Sequence, residues 1–219
     1  MFDRIRHVIA RHPSKATYKF LMKDWQSLSD LGALSRALES KRFSENLAPM
    51  VMDHPVGKRI LVLSLHPDDE VLGAGGILVK SIQAGIQVHI VCITTGESKD
   101  AKELARFREA EALDVARSLG SEIEFWRHPA RAWQLDESVQ EQLRTAVRTF
   151  RPDIIVLPFL SDDHIDHRRA SELLYRTFYT QIPSCEIWAY QVYSAVLPNV
   201  LVDITSVLEE KIAVGTNVS

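Results

Sequence analysis

The chain has 219 residues, 46% of them hydrophobic and 25% charged, an ordinary globular composition with enough material for one sizeable core. Its formal net charge of −3 gives no electrostatic case for nucleic acid as a partner. Its two cysteines, Cys92 inside an apolar stretch and Cys185 at the start of another, have neither disulfide-framework nor zinc-knuckle spacing, so both read as packed thiols of a reducing compartment.

The opening Met1-Phe-Asp-Arg-Ile-Arg-His carries charge where the apolar core of a signal peptide would begin, and no apolar run reaches membrane-spanning length. The expectation is therefore a cytoplasmic protein. Across 1–23, Phe2, Ile5, Val8 and Ile9 recur at helical spacing, with Arg4, Arg6, Arg11, Lys15, Lys19 and Lys23 between them. Such a basic amphipathic stretch suits a weak contact with a membrane surface or a partner. The short apolar face and the break at Pro13 favour instead a helix packed on the flank of its own domain. A second helix is expected over 27–39, and 49–57 reads as a connection. This makes 1–57 an N-terminal helical extension and 58–219 the main domain.

From Lys58 onward, apolar runs and helical patterns alternate. Strands are predicted at 59–65, 88–94, 122–126, 153–158 and 186–192, and helices at 72–84, 101–119, 138–150 and 167–180. A short strand at 200–204 and a helix from Ser206 follow, and the stop at Asn217-Val-Ser219 without a tail reads as a truncated C-terminus. The rhythm predicts an α/β fold with a doubly wound, mainly parallel, Rossmann-like sheet and helices on both faces.

The run at 59–65 is apolar almost throughout, as in a strand buried on both faces, and it stops in His66-Pro67-Asp68-Asp69-Glu70. Strand C-termini are where open α/β sheets bind ligands. Pro67 turns the chain at once into the next helix, so that His66 and Asp69 can face one point. An imidazole and a carboxylate converging there suit Zn²⁺, with Asp68 left beside the metal. The plainer alternative is that Asp68 or Asp69 caps the helix and His66 is a hydrogen-bonded turn residue. A second cluster, Asp162-Asp163-His164-Ile165-Asp166-His167, follows the apolar run at 154–159. Two His/Asp clusters at two strand ends read as one site. Gly73, Gly75 and Gly76 do not form a dinucleotide fingerprint, because the acidic cluster occupies the place of the glycine-rich turn; they read as letting a helix pack closely on the sheet.

In order and spacing these residues resemble the PIG-L/LmbE family of zinc-dependent deacetylases, which act on N-acetylglucosamine-containing substrates. The resemblance is carried by His66-Pro67-Asp68-Asp69-Glu70 and His164-Ile165-Asp166-His167. Thr94-Thr95-Gly96-Glu97, Arg108 with Glu111, and Val202-Asp203-Ile204-Thr205 add to it, and it covers the chain from Lys58 onward. It implies one Zn²⁺ per chain, replaceable by Fe²⁺ or Co²⁺, on His66, Asp69 and His167, with the fourth position open to water. Asp68 is then the general base, and a protonated His164 stabilises the oxyanion. Asp166 fixes the tautomer and charge of an imidazole, with His164 the favoured partner.

Arg108 is assigned to substrate hydroxyls or an anionic aglycone, against an exposed pairing with Glu111. Glu97 is assigned to the substrate or the metal shell, against helix capping. One stretch departs from the family, which commonly carries a Pro-Asp-Gly turn whose aspartate reaches the sugar. This chain reads Trp126-Arg127-His128-Pro129-Ala130-Arg131-Ala132-Trp133. Trp133 with an arginine would suit a sugar bearing an anionic or larger aglycone; the alternative places Trp126 in the core and Trp133 as a loop anchor. The implied activity is removal of an N-acetyl group from an amino sugar or an N-acetylglucosamine-containing glycoconjugate. Hydrolysis of a non-sugar amide or a polymer- or lipid-linked glycan, and a non-catalytic binding role, remain alternatives.

Overall fold

The apolar runs of the sequence become parallel strands. The computed structural model describes residues 49–96, 101–181, 183–193 and 197–216. The expectations for the N-terminal helices and for Glu97 fall outside these residues. In chain order the strands are β1 (Met50–Met52), β2 (Arg59–Ser64), β3 (Gln87–Thr94), β4 (Glu122–His128), β5 (Ile154–Pro158), β6 (Glu186–Tyr190) and β7 (Val200–Val202). The helices are α1 (Asp69–Gln83), α2 (Lys102–Leu119), α3 (Glu137–Phe150), α4 (Ile165–Phe178) and α5 (Leu208–Gly215).

Five strands form one parallel sheet in the order β4-β3-β2-β5-β6. The two-residue period of the strands divides their side chains between two cores. Leu61 and Leu63 of β2, with Ile155 and Leu157 of β5, join Val139 and Leu143 of α3 and Ala170 and Leu173 of α4. Ile60, Val62, Ile154 and Val156 point the other way and join Ala74 and Leu78 of α1. The fold is thus the doubly wound α/β sheet with helices on both faces. Each of these larger side chains contributes about 1.5–3 kcal/mol on full burial, which holds the ends of β2 and β5 on a rigid base.

Strand order reverses at β2. The chain builds β3 and β4 outward on one side, then crosses over to lay β5 and β6 on the other. The C-terminal ends of β2 and β5 therefore meet at a topological switch point, where such sheets form a crevice. Helix α1 begins at Asp69, three residues before the predicted start, so Asp69 and Glu70 lie in its first turn, next to the positive end of the helix dipole. It packs tightly because of two glycines: a Cβ on Gly73 would stand 2.1 Å from Cδ2 of Tyr190, and one on Gly76 would stand 2.6 Å from Cγ2 of Ile204.

The stretch read as a connection contributes β1, which pairs in parallel with β7, and the Asp203 N–H donates to Met52 O at 3.0 Å. Met50–Ser219 forms one compact unit. Cys92 is buried and Cys185 half-buried, both as free thiols. Among the described residues no helix is long and apolar enough to cross a membrane.

Candidate active site

The end of β2 supplies the first half of the site. Asp69 is fully buried, and its Oδ2 accepts the His66 backbone N–H at 2.9 Å. The same oxygen lies 3.3 Å from His66 Nδ1 and 3.0 Å from His167 Nε2. Burial alone would raise the Asp69 carboxyl, but contacts with His167 and His66 outweigh it and hold the group well below the usual carboxylate range. Burial likewise pulls the His66 imidazole down, while Asp166 and Asp69 carry it up to about 9.

Asp68 stands at the N-cap of α1, yet its side chain makes no capping hydrogen bond and its Oδ1 is buried without a partner. Capping therefore does not account for this residue. Burial, and then the charge of Asp69, push its carboxyl upward against the pull of His66, Arg108 and His167. Behind these groups, Ser64 Oγ lies 2.6 Å from His66 O and 2.7 Å from Glu70 Oε2. A hydroxyl has only one proton to donate, so both contacts are satisfied when Glu70 is itself protonated and donates to Ser64. Burial pushes Glu70 up to about 7, into the range where the protonated form is populated.

The end of β5 supplies the other half. His164 is the N-cap of α4, where its Nδ1 accepts the Asp166 backbone N–H at 3.3 Å. Its ring is 4.6 Å from that of His66 and 5.1 Å from that of His167, between centroids. The expected protonated His164 is not favoured here: burial, and then the charge of His66, push its pKa down. With Nδ1 accepting, the neutral ring carries its proton on Nε2 and is still a donor.

Contrary to the expectation that His164 is its partner, Asp166 does not hydrogen-bond that ring through its side chain. Its side chain is buried and turned the other way, accepting from His66 Nε2 at 3.2 Å, from Arg131 N at 2.8 Å and from Trp133 Nε1 at 3.0 Å. The physical reason is local: residues two apart on a helix do not face each other, and His164 is engaged in capping. His167, fully buried, has Nδ1 3.3 Å from Asp162 Oδ1. Neither this approach nor the one to Asp69 Oδ2 has hydrogen-bond geometry, so both ring nitrogens are buried without a hydrogen bond; the other Asp69 oxygen, Oδ1, is likewise buried without one.

Asp162 was not singled out from the sequence. It accepts from His164 N at 2.9 Å, Tyr193 N at 3.1 Å and Val192 N at 3.4 Å, joining the stretch after β6 to the cluster. Tyr193 lies over His164 and His167, at 5.9 and 5.3 Å between ring centroids. Acids flanking the second His cluster were the available signal, but not their direction.

At the rim, Arg108 of α2 lies over Gly96, which has φ 72°. A Cβ there would stand 2.9 Å from Arg108 Nη1, and the guanidinium charge bears on Asp68. Trp133 corrects the expectation of a sugar-stacking ring: it is 1% exposed, packs in the core beside Val139 and Leu143, and uses its indole N–H on Asp166. A surface hollow of about 760 Å³, lined in part by His89, Glu122, Glu124 and Glu141, contains no residue of this cluster. The chemistry is concentrated at the strand ends instead.

Among the described residues, two triplets bring ligand atoms within 4.8 Å of one another: His66 with His164 and His167, and His66 with Asp68 and Asp69. Buried nitrogens and carboxylate oxygens that lack hydrogen bonds are the donor set a divalent transition metal takes, so these residues fit a metal. Fold and cluster together define a class, the α/β domains with a candidate metal centre at the switch point of a parallel sheet.

Within that class the chain belongs to the PIG-L family, whose model, described as GlcNAc-PI de-N-acetylase, matches residues 61–178. Diacetylchitobiose deacetylase of Thermococcus kodakarensis is 28% identical over 199 residues, covering 74% of this chain and 70% of that protein. 4-Oxalmesaconate hydratase of Pseudomonas putida is 30% identical over 131 residues, covering 53% of this chain and 50% of the hydratase. The chain thus spans about half the length of that relative. The solved structure of N,N'-diacetylchitobiose deacetylase from Pyrococcus horikoshii, complexed with its inhibitor MPG, superposes with a TM-score of 0.64 at 27% identity. That match covers 73% of this chain and 69% of that one.

Proposed function

We propose that this chain is a metal-dependent N-deacetylase that hydrolyses the acetamide of an amino sugar or an N-acetylglucosamine-containing glycoconjugate. The observation that carries the reading is the shared oxygen Asp69 Oδ2, 3.3 Å from His66 Nδ1 and 3.0 Å from His167 Nε2. Each imidazole also has a carboxylate beside its far nitrogen, Asp166 for His66 and Asp162 for His167. A carboxylate behind a ligating imidazole fixes its tautomer and orientation.

In this reading His66, Asp69 and His167 hold Zn²⁺, and Fe²⁺ or Co²⁺ meets the same donors. The bound cation supplies a Lewis acid for the acetyl carbonyl and lowers the pKa of water. Asp68 takes the proton of the attacking water and returns it to the leaving amine, a task for which its upward-shifted carboxyl is suited. The Nε2–H of His164 donates to the tetrahedral oxyanion. Asp166 holds His66, and Arg108 and Glu97 contact the substrate; Trp133 is withdrawn from that role.

The test measures stoichiometric metal by elemental analysis together with acetate released from N-acetylglucosamine, diacetylchitobiose and N-acetylglucosaminyl-inositol. Metal-loaded protein that releases acetate from none of these sinks the reading. The similarity to the hydratase supports a second one, addition of water to an unsaturated carboxylic acid. It would appear as loss of conjugated ultraviolet absorbance without acetate.

A further inference from the structure

Arg131 is held in a conformation that suits glycine. Its φ is 61°, in the left-handed region, within a turn closed by the Ala132 N–H donating to Pro129 O at 3.2 Å. A residue with a side chain is strained there, as glycine is not. The turn cannot relax, because Arg131 N donates to the buried Asp166 Oδ2 at 2.8 Å, and Trp133 Nε1 donates to Oδ1 at 3.0 Å. Arg169 Nη1 adds a third tie, to Trp133 O at 3.1 Å.

The side chain on this rigid mount is exposed. Arg127, Arg144, Arg148 and Arg176 each pair with a glutamate, but among the described residues no carboxylate pairs with the Arg131 guanidinium. Its charge bears on His164, adding to the downward effects of burial, His66 and His167 on that imidazole. Arg127 and Arg151 also have positive φ, 58° and 51°, and what sets Arg131 apart is that its amide is held by the buried Asp166 beside His66, at the edge of the cluster. Strain kept by surrounding contacts at the edge of a site points to a use for the side chain.

We propose that Arg131 determines specificity by receiving an oxyanion of the substrate, carboxylate or phosphate, close to the acetamide. The preferred substrate is then an anionic amino-sugar conjugate, a refinement that rests on the deacetylase reading. The planar fork of a guanidinium matches two oxygens of either group, which an ammonium does not.

Arg131→Gly removes the fork and suits the backbone, so it removes function without threatening the fold; Arg131→Lys keeps the charge alone. On the full chain loaded with Zn²⁺, kcat/KM is measured for N-acetylglucosamine 6-phosphate, N-acetylmuramic acid and methyl N-acetylglucosaminide. The wild type is expected to prefer one of the two anions, and which one identifies the oxyanion. Arg131→Gly is expected to lower the anionic-to-neutral ratio roughly 10- to 100-fold, mainly through KM, the worth of a charge-assisted hydrogen bond, and Arg131→Lys to lower it less.

A readout free of turnover is the rise in Tm given by glucosamine 6-phosphate or muramic acid over glucosamine, expected in the wild type and lost in Arg131→Gly. A wild type with no anionic preference and no such rise overturns the proposal. So does an Arg131→Gly that keeps both. If no acetate is released from any substrate but the rise is present and lost in the variant, the deacetylase reading fails and the anion site stands.

Discussion

Replacing Asp166 by alanine is expected to loosen the fold and weaken metal binding together. The carboxylate is fully buried and accepts from His66 Nε2, Arg131 N and Trp133 Nε1 at 2.8–3.2 Å. Each donor left without an acceptor costs about 1–3 kcal/mol, less for the half-buried Arg131 N–H, so the loss is roughly 3–6 kcal/mol. At about 2–4 °C per kcal/mol for a domain of this size, Tm falls by roughly 10–20 °C. Asp166→Asn keeps the volume, but its single carbonyl serves one side and turns its NH₂ toward donors on the other. Trp133→Phe removes the indole donor, so Asp166→Asn with Trp133→Phe is expected to lose less than the two changes summed. The assay is thermal unfolding in chelator, followed by Zn²⁺ competition against a chromogenic chelator, where Asp166→Ala binds roughly 10- to 100-fold more weakly through its effect on His66. An alanine variant with wild-type Tm and wild-type zinc affinity would refute the reasoning.

Three further outcomes are expected. In the metal-free protein the His66 pKa is raised from 6.5 to about 9, so its stabilising contribution is full below pH 6.5 and is lost as pH rises through about 9; chelator-treated protein monitored by thermal unfolding will show this fall. Since Zn²⁺ must displace that proton, its apparent affinity rises about tenfold per pH unit over the same window, and a flat profile tells against His66 as a ligand. Asp68→Asn keeps its metal while turnover falls roughly 10²–10⁴-fold, whereas His167→Ala loses metal and activity together; metal content measured beside turnover would expose a swap of base and ligand. Gly73→Ala, whose Cβ would stand 2.1 Å from the Tyr190 ring, costs about 1–3 kcal/mol or more. Gly75→Ala, nearest to Lys211 Cγ at 3.4 Å, stays within about 1 kcal/mol of wild type. Equal urea midpoints for the two glycine variants would contradict the packing account.

Much of the fold was legible because a strand buried on both faces leaves an unbroken apolar run, and Ile60–Leu63 and Ile154–Leu157 are such runs. The meeting of the two His/Asp clusters was legible because each begins where a run ends. What the sequence could not show was direction. Asp166 and His164 are neighbours along the chain, yet the aspartate's partner His66 lies a hundred positions away, because capping by His164 rotates the two side chains apart. Trp133 reads the same whether it stacks on a ligand or fills a core; only the helices α3 and α4 packed around it decide. Asp162 gave a composition signal without a partner, since Val192 and Tyr193 reach it only after β6 has been laid beside β5.

The two acids behind the imidazoles grip their loops through main-chain amides: Asp166 through that of Arg131, Asp162 through those of Val192 and Tyr193. An amide of this kind belongs to every residue except proline. The rim of the crevice can therefore exchange its side chains, and with them its taste in substrates, while the hidden carboxylates go on aiming the same two rings. Innovation at this surface is open to many substitutions, closed to proline at 131, 192 and 193, and at 131 it favours residues that accept a positive φ.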